Sequence, residues 1–193
     1  MILGLVVVSI VSGGIISVTG YYTPFMIGSS IFMAIGAGLL STLTTGSGHS
    51  MWIGYQIIFG FGVGMGLQQP LIAAQTVLDL PDVPVGTALM IFAQSIGSSI
   101  FISVGQNVFT NRLISSLQEQ TPDLDPNVVV SAGATGFRGT VSPEDLEGVL
   151  FAYNQALVAA FYVAVAMAVL TIVGSAMVEW KNVKAAKADR VDS

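Results

Sequence analysis

The residues in this chain with the best claim to chemistry are glycines and amides. Residues 60–70 read GFGVGMGLQQP, four glycines at alternate positions running into two glutamines and a proline. Glycine-rich text can cradle a phosphate, but the dinucleotide fingerprint needs G-x-G-x-x-G. From Gly60, Gly62 or Gly64 the third glycine would fall on Met65, Leu67 or Gln69. A phosphate loop also needs Gly-Lys-Ser/Thr, and no lysine precedes Lys181. A helix accounts for the spacing instead. At about 100° per residue, Gly60 and Gly64 share one face, and Gly62 and Gly66 share a nearly opposite one. These interleaved G-x-x-x-G pairs let two neighbouring helices approach closely. Pro70 removes an intrahelical hydrogen bond and is expected to kink the helix just beyond them.

The amides follow the same geometry. Gln56, Gly60, Gly64 and Gln68 are spaced by four, and Gln75 lies seven further on, which makes one amide-and-glycine stripe. Gln94 and Ser98 are one turn apart with Gly105 on the same side, followed by Gln106 and Asn107. Later come Tyr153, Asn154 and Gln155, then Tyr162, Thr171 and Ser175 in an otherwise apolar run. A buried amide costs free energy unless it pairs or meets water. Each of these positions therefore reads either as glue between helices or as the lining of a watered, substrate-holding cavity.

Acid–base and metal chemistry have little to draw on. His49 is the single histidine, expected in a loop beside Gly48 and Ser50, and there are no cysteines. No acid falls within a predicted span, so no carboxylate dyad, oxygen cage or activated nucleophile is available there. The expectation is a protein that is not an enzyme, with no cofactor and no metal.

The elements that must position these residues are set by charge. Only 9% of the 193 residues are charged and 53% are hydrophobic, whereas a soluble domain carries about a quarter charged. Residues 1–78, 83–111 and 148–178 contain no Asp, Glu, Lys or Arg. Such runs read as membrane-spanning helices. Five spans are expected, over residues 2–18, 25–43, 52–77, 86–109 and 150–178, giving an all-α membrane protein. The opening run has no cation and is followed by more spans, so it reads as a span and not as a leader.

The chain divides accordingly into four helices over 1–109, an acidic outer loop over 110–148, a last helix over 149–180 and a tail over 181–193. The outer loop carries Glu119, Asp123, Asp125, Glu144, Asp145 and Glu147 and reads as a partly ordered, solvated cap. Ser142-Pro143-Glu144-Asp145 is the expected entry to the last helix. Four of the six basic residues, Lys181, Lys184, Lys187 and Arg190, lie in the tail. The positive-inside rule places that tail in the cytoplasm. The net charge of −5 excludes a basic nucleic-acid surface.

Five stretches in order carry a family resemblance: SGGIISVTGYYTPFMIGSSIFMAIGAGLL, GFGVGMGLQQPLIAAQTVL, GTALMIFAQSIGSSIFISVGQNVF, AYNQAL and EWKNVK. Together they resemble the C-terminal part of a major facilitator superfamily transporter, of the fungal fourteen-span drug:proton antiporter and toxin efflux type. The superfamily's loop motif G-x-L-a-D-R-x-G-R-K can be laid on residues 13–22. Gly13 and Gly20 match, Ser17 and Val18 replace its Asp and Arg, and Tyr21 and Tyr22 replace its basic pair. The charge-relay role of that loop is therefore not carried over.

The resemblance implies two six-helix bundles rocking around a central site, of which this chain would supply the last five spans. It places Gln68, Gln69 and Gln94 on helices that flank the central cavity. The implied function is efflux of small amphipathic organic compounds, proton-coupled in an intact parent and seated in the plasma membrane. The coupling residue would then lie outside this chain. Partners would be the bilayer, a small organic substrate, and the missing N-terminal helices or another membrane chain. A non-transporting membrane subunit, assembly partner or degenerate remnant stands as the alternative. A small channel would need a charged or filter-like ring, which the spans lack.

Overall fold

The structure is a computed structural model that describes residues 2–139 and 141–184. Among them are seven α-helices and no strand: α1 Ile2–Thr19, α2 Thr23–Leu40, α3 His49–Gly66, α4 Gln69–Val77, α5 Val83–Gln120, α6 Pro126–Gly136 and α7 Leu146–Met177. Five helical segments are long and apolar enough to cross a membrane, with α3 and α4 together counting as one. The chain is thus an all-α, multi-pass membrane protein. α3 packs against α1 and α2, α2 against α7, and α7 against α5, while α4 leans on α5.

The glycine segment brings three of these helices together. A Cβ on Gly62 would lie 2.5 Å from the backbone nitrogen of Met33 in α2, and one on Gly64 would lie 2.6 Å from the carbonyl oxygen of Leu5 in α1. Gly66 also faces α2, where a Cβ would meet the Ser29 hydroxyl at 2.1 Å. Alternate glycines therefore admit opposite neighbours. The close approach exposes backbone carbonyls that serines then use. The Ser29 hydroxyl donates to the Gly62 carbonyl at 2.7 Å, and the Ser9 hydroxyl to the Gly64 carbonyl at 3.0 Å. Gly60 is buried on the same helix.

The third span is broken at Leu67–Gln68, just beyond the glycines as Pro70 leads one to expect, with Pro70 in the first turn of the second piece. The fourth span differs from the sequence expectation: it does not stop at residue 109 but continues to Gln120. A charged residue marks the membrane surface, and it does not end a helix whose apolar positions still find a core. Leu113 and Leu117 supply that core with Val129, Phe137, Val149, Ala152 and Ala156. Tyr153 adds an edge contact to Phe109 at 5.2 Å and a stacked contact to Phe137 at 5.4 Å. Residues 110–148 thus contain a packed cap of α5, α6 and the first turns of α7. Ser142 does not cap α7 directly. Its hydroxyl donates to the Asp145 carboxylate at 2.7 Å, and the helix begins four residues later. His49 is the first residue of α3 and not a loop residue, with its ring 6.5 Å from Trp52.

The opposite end of the bundle is closed by a clamp. Gly20, at φ 80°, lets the chain turn between α1 and α2, and its carbonyl accepts from Val183 N at 2.9 Å. The buried Tyr22 donates its hydroxyl to the Glu179 carbonyl at 2.7 Å. Burial raises the Tyr22 phenol above its ordinary value of 10.0, so it remains a donor throughout the neutral range. Tail residues 185–193, with Lys187 and Arg190, lie outside the described residues.

Candidate functional site

Two apolar hollows lie among α2, α3, α4, α5 and α7. The first, of about 370 Å³, is lined by Met26, Ser29, Ser30, Met33, Val63, Gly66, Leu67, Pro70, Leu71, Met90, Ala93, Gln94, Thr171 and Ser175. The second, of about 550 Å³, shares Met26, Pro70 and Met90 with it and reaches Asp82 and Glu179 at the clamp end. The shared residues make one groove that runs from the middle of the bundle to its tail end. Both volumes fall in the range of small-molecule pockets.

Three methionines give the groove a soft, deformable wall. Its hydroxyls are mostly spent inside the protein. Ser29 holds the Gly62 carbonyl, Ser30 and Ser175 pair at 3.0 Å, and Thr171 donates to Ala168 O at 2.7 Å. Gln94 differs, because its exposed amide makes no hydrogen bond to the described residues. It can offer both a donor and an acceptor to a guest in an otherwise apolar space.

The remaining candidates are dispersed. Gln68 caps α4 at the helix break, is exposed, and does not line the first hollow. Leu67 and Gln68 both keep right-handed helical torsions at the break, and Gln56 is half-buried a full three turns earlier in α3. Gln69 is 2% exposed, and its Nε2 donates to the Met65 carbonyl at 2.8 Å. Its Oε1 is buried with no partner among the described residues. Ser98 donates to Ser95 O at 2.9 Å, within α5. Asn154 lies at the cap end, where its Nδ2 donates to the Leu43 carbonyl at 3.1 Å. Pro70 is exposed on the groove wall.

Sequence reasoning did not single out Met26, Ser29, Ser30 and Met33. Their spacing was the available signal, since positions i, i+3, i+4 and i+7 share one helix face. The polar pair was hidden because serine in a span reads equally well as packing.

Comparison with known proteins supplies the lineage. The MFS-type transporter astH of Aspergillus oryzae is 53% identical over 184 residues, which is 95% of this chain and 33% of that protein. An MFS-type efflux pump of Arthroderma benhamiae is 52% identical over 187 residues, 97% of this chain and 35% of the pump. The aspyridones efflux protein of Neocamarosporium betae is 44% identical over 192 residues, 99% of this chain and 34% of that protein. The chain thus spans about a third of the length of the curated relatives it matches. No family model and no solved structure matches it. About half of the aligned residues are identical along almost the whole chain, which folds here as five apolar spans. That agreement has one source: the chain belongs to the major facilitator superfamily of membrane transporters.

Proposed function

We propose that this chain forms the last five spans of an efflux transporter and carries part of its substrate pathway. The single observation behind this reading is the methionine-walled groove into which Gln94 brings an amide with no partner among the described residues. The substrate would be a small amphipathic organic compound, held by shape and apolar contact and oriented by Gln94. The efflux names of the relatives support the direction, and the missing two thirds of their length would supply the first bundle and the proton-coupling residue. The tail end would face the cytoplasm of a plasma-membrane protein, with residues 110–148 outside. Gln68, Gln69 and Gln56 remain secondary pathway candidates, along with Ser98 and Asn154.

The test is resistance in an intact parent. Gln68→Ala combined with Gln94→Ala should alter resistance to exported compounds at unaltered expression, with Gln94→Ala alone giving most of the effect. Unchanged resistance to every exported compound sinks the assignment.

One observation favours a second reading. Of the apolar stretch of α5 that would cross the membrane, 0% is buried. That helix suits a chain that docks with a larger carrier, as an assembly partner would. Co-purification of the separate chain with such a carrier, lost on Phe92→Lys at an exposed position of α5, would favour this reading.

A further inference from the structure

At the cap end, a third cavity of about 380 Å³ opens between the end of α2, α5 and α7, and its lining includes Thr42, Thr44, Arg112, Asn154 and Gln155. No carboxylate lines it, although the chain as a whole carries a net charge of −5. Arg112 donates to the Gln155 side-chain oxygen, which also accepts from the Ser116 hydroxyl at 3.3 Å. That oxygen anchors one edge of the guanidinium, and the other N–H groups have no acceptor among the described residues. The one ion pair among the described residues, Lys181–Glu179 at 3.2 Å, lies at the opposite end of the bundle. Among the described residues, Arg112 is thus an exposed cation held by one amide and paired with no anion. Asn154 closes the cavity from α7 by holding the Leu43 carbonyl at 3.1 Å.

Position adds the second argument. Gln155 lies roughly 33 Å along α7 from the residue that ends the helix, at 1.5 Å per residue. A hydrocarbon core is about 30 Å thick, so a crossing that ends with α7 would bring the cavity level with the phosphates of the far leaflet. Arginine's planar fork matches phosphate oxygens two at a time.

We propose that this cavity binds a phosphate group at the membrane surface, gripped by Arg112, with Gln155 as the positioning residue that aims the guanidinium. The phosphate can belong to a lipid headgroup or to a free solute, and the test separates the two. The full chain is purified in neutral detergent, and binding of short-chain phosphatidic acid, short-chain diacylglycerol and inorganic phosphate is measured by native mass spectrometry. Phosphatidic acid should be retained and diacylglycerol should not. Arg112→Gln should weaken retention about tenfold or more, the loss expected for a charge-assisted pair. Arg112→Lys keeps the charge but loses the fork, so it should fall between, and it serves as the readout if the glutamine variant does not fold. Displacement of the lipid by millimolar phosphate marks the bare anion as sufficient. Failure to displace it marks the lipid as the source. Equal retention of phosphatidic acid and diacylglycerol overturns the proposal, as does equal retention by wild type and whichever variant folds.

Discussion

Gly62 and Gln94 show how much rests on single residues here. A leucine at Gly62 would drive its Cβ to within 2.5 Å of the α2 backbone, where nothing can rotate away. Overpacking of this kind costs about 1–3 kcal/mol, and more when backbone must move. Gly62→Leu should therefore separate α3 from α2 and lower the thermal midpoint of the detergent-solubilised chain. Ser29→Ala should be mild by comparison, because interhelical hydrogen bonds in membranes average roughly 0.6 kcal/mol. A thermal-shift series on both variants tests that ranking, and a larger loss for Ser29→Ala would contradict it. The close-packing role of the glycines could be argued from spacing alone, because a helix fixes which glycines share a face. Which glutamine enters the groove could not. That depends on how α5 lies beside α4 and α7, which no spacing within one helix reports.

At the scale of the element, the helices themselves were legible because uncharged runs of this length have few alternatives. Their ends were less so. The fourth span continues to Gln120 because Leu113 and Leu117 have a core to enter, and that core comes from residues far along the chain. The clamp at the other end is also non-local, joining Gly20 and Tyr22 to residues 179–183. Tyr22→Phe deletes the bond to Glu179 and leaves that carbonyl weakly satisfied by Thr23 at 3.4 Å. The loss should be about 1 kcal/mol, seen as faster proteolysis after Glu179. Unchanged proteolysis would show that the turn holds the tail without the phenol. The sign of the pH dependence follows from the raised phenol. Its contribution is present below the ordinary value of 10.0 and is lost as pH climbs through the higher folded value. Gly20→Ala should release the same clamp, because the φ of 80° strains any other residue and a Cβ would overlap the Asn182 side chain at 2.3 Å.

For the molecule as a whole, five spans of one superfamily give a bundle whose α5 has no buried residue along its crossing stretch. Relatives of this chain are about three times as long, and a groove opens beside α5. The central claim is that this groove, at Gln94, is part of the path taken by an exported compound. The chain contains no cysteine, so Gln94→Cys in a parent otherwise freed of cysteines gives one reactive thiol on it. Labelling of that position by a small, water-soluble thiol reagent in sealed vesicles is the direct measurement. Position 94 should label readily and slow several-fold when an exported compound is added, with no such protection for Gln68→Cys. A thiol at position 94 that never labels, or that labels at one rate whatever compound is present, would contradict it.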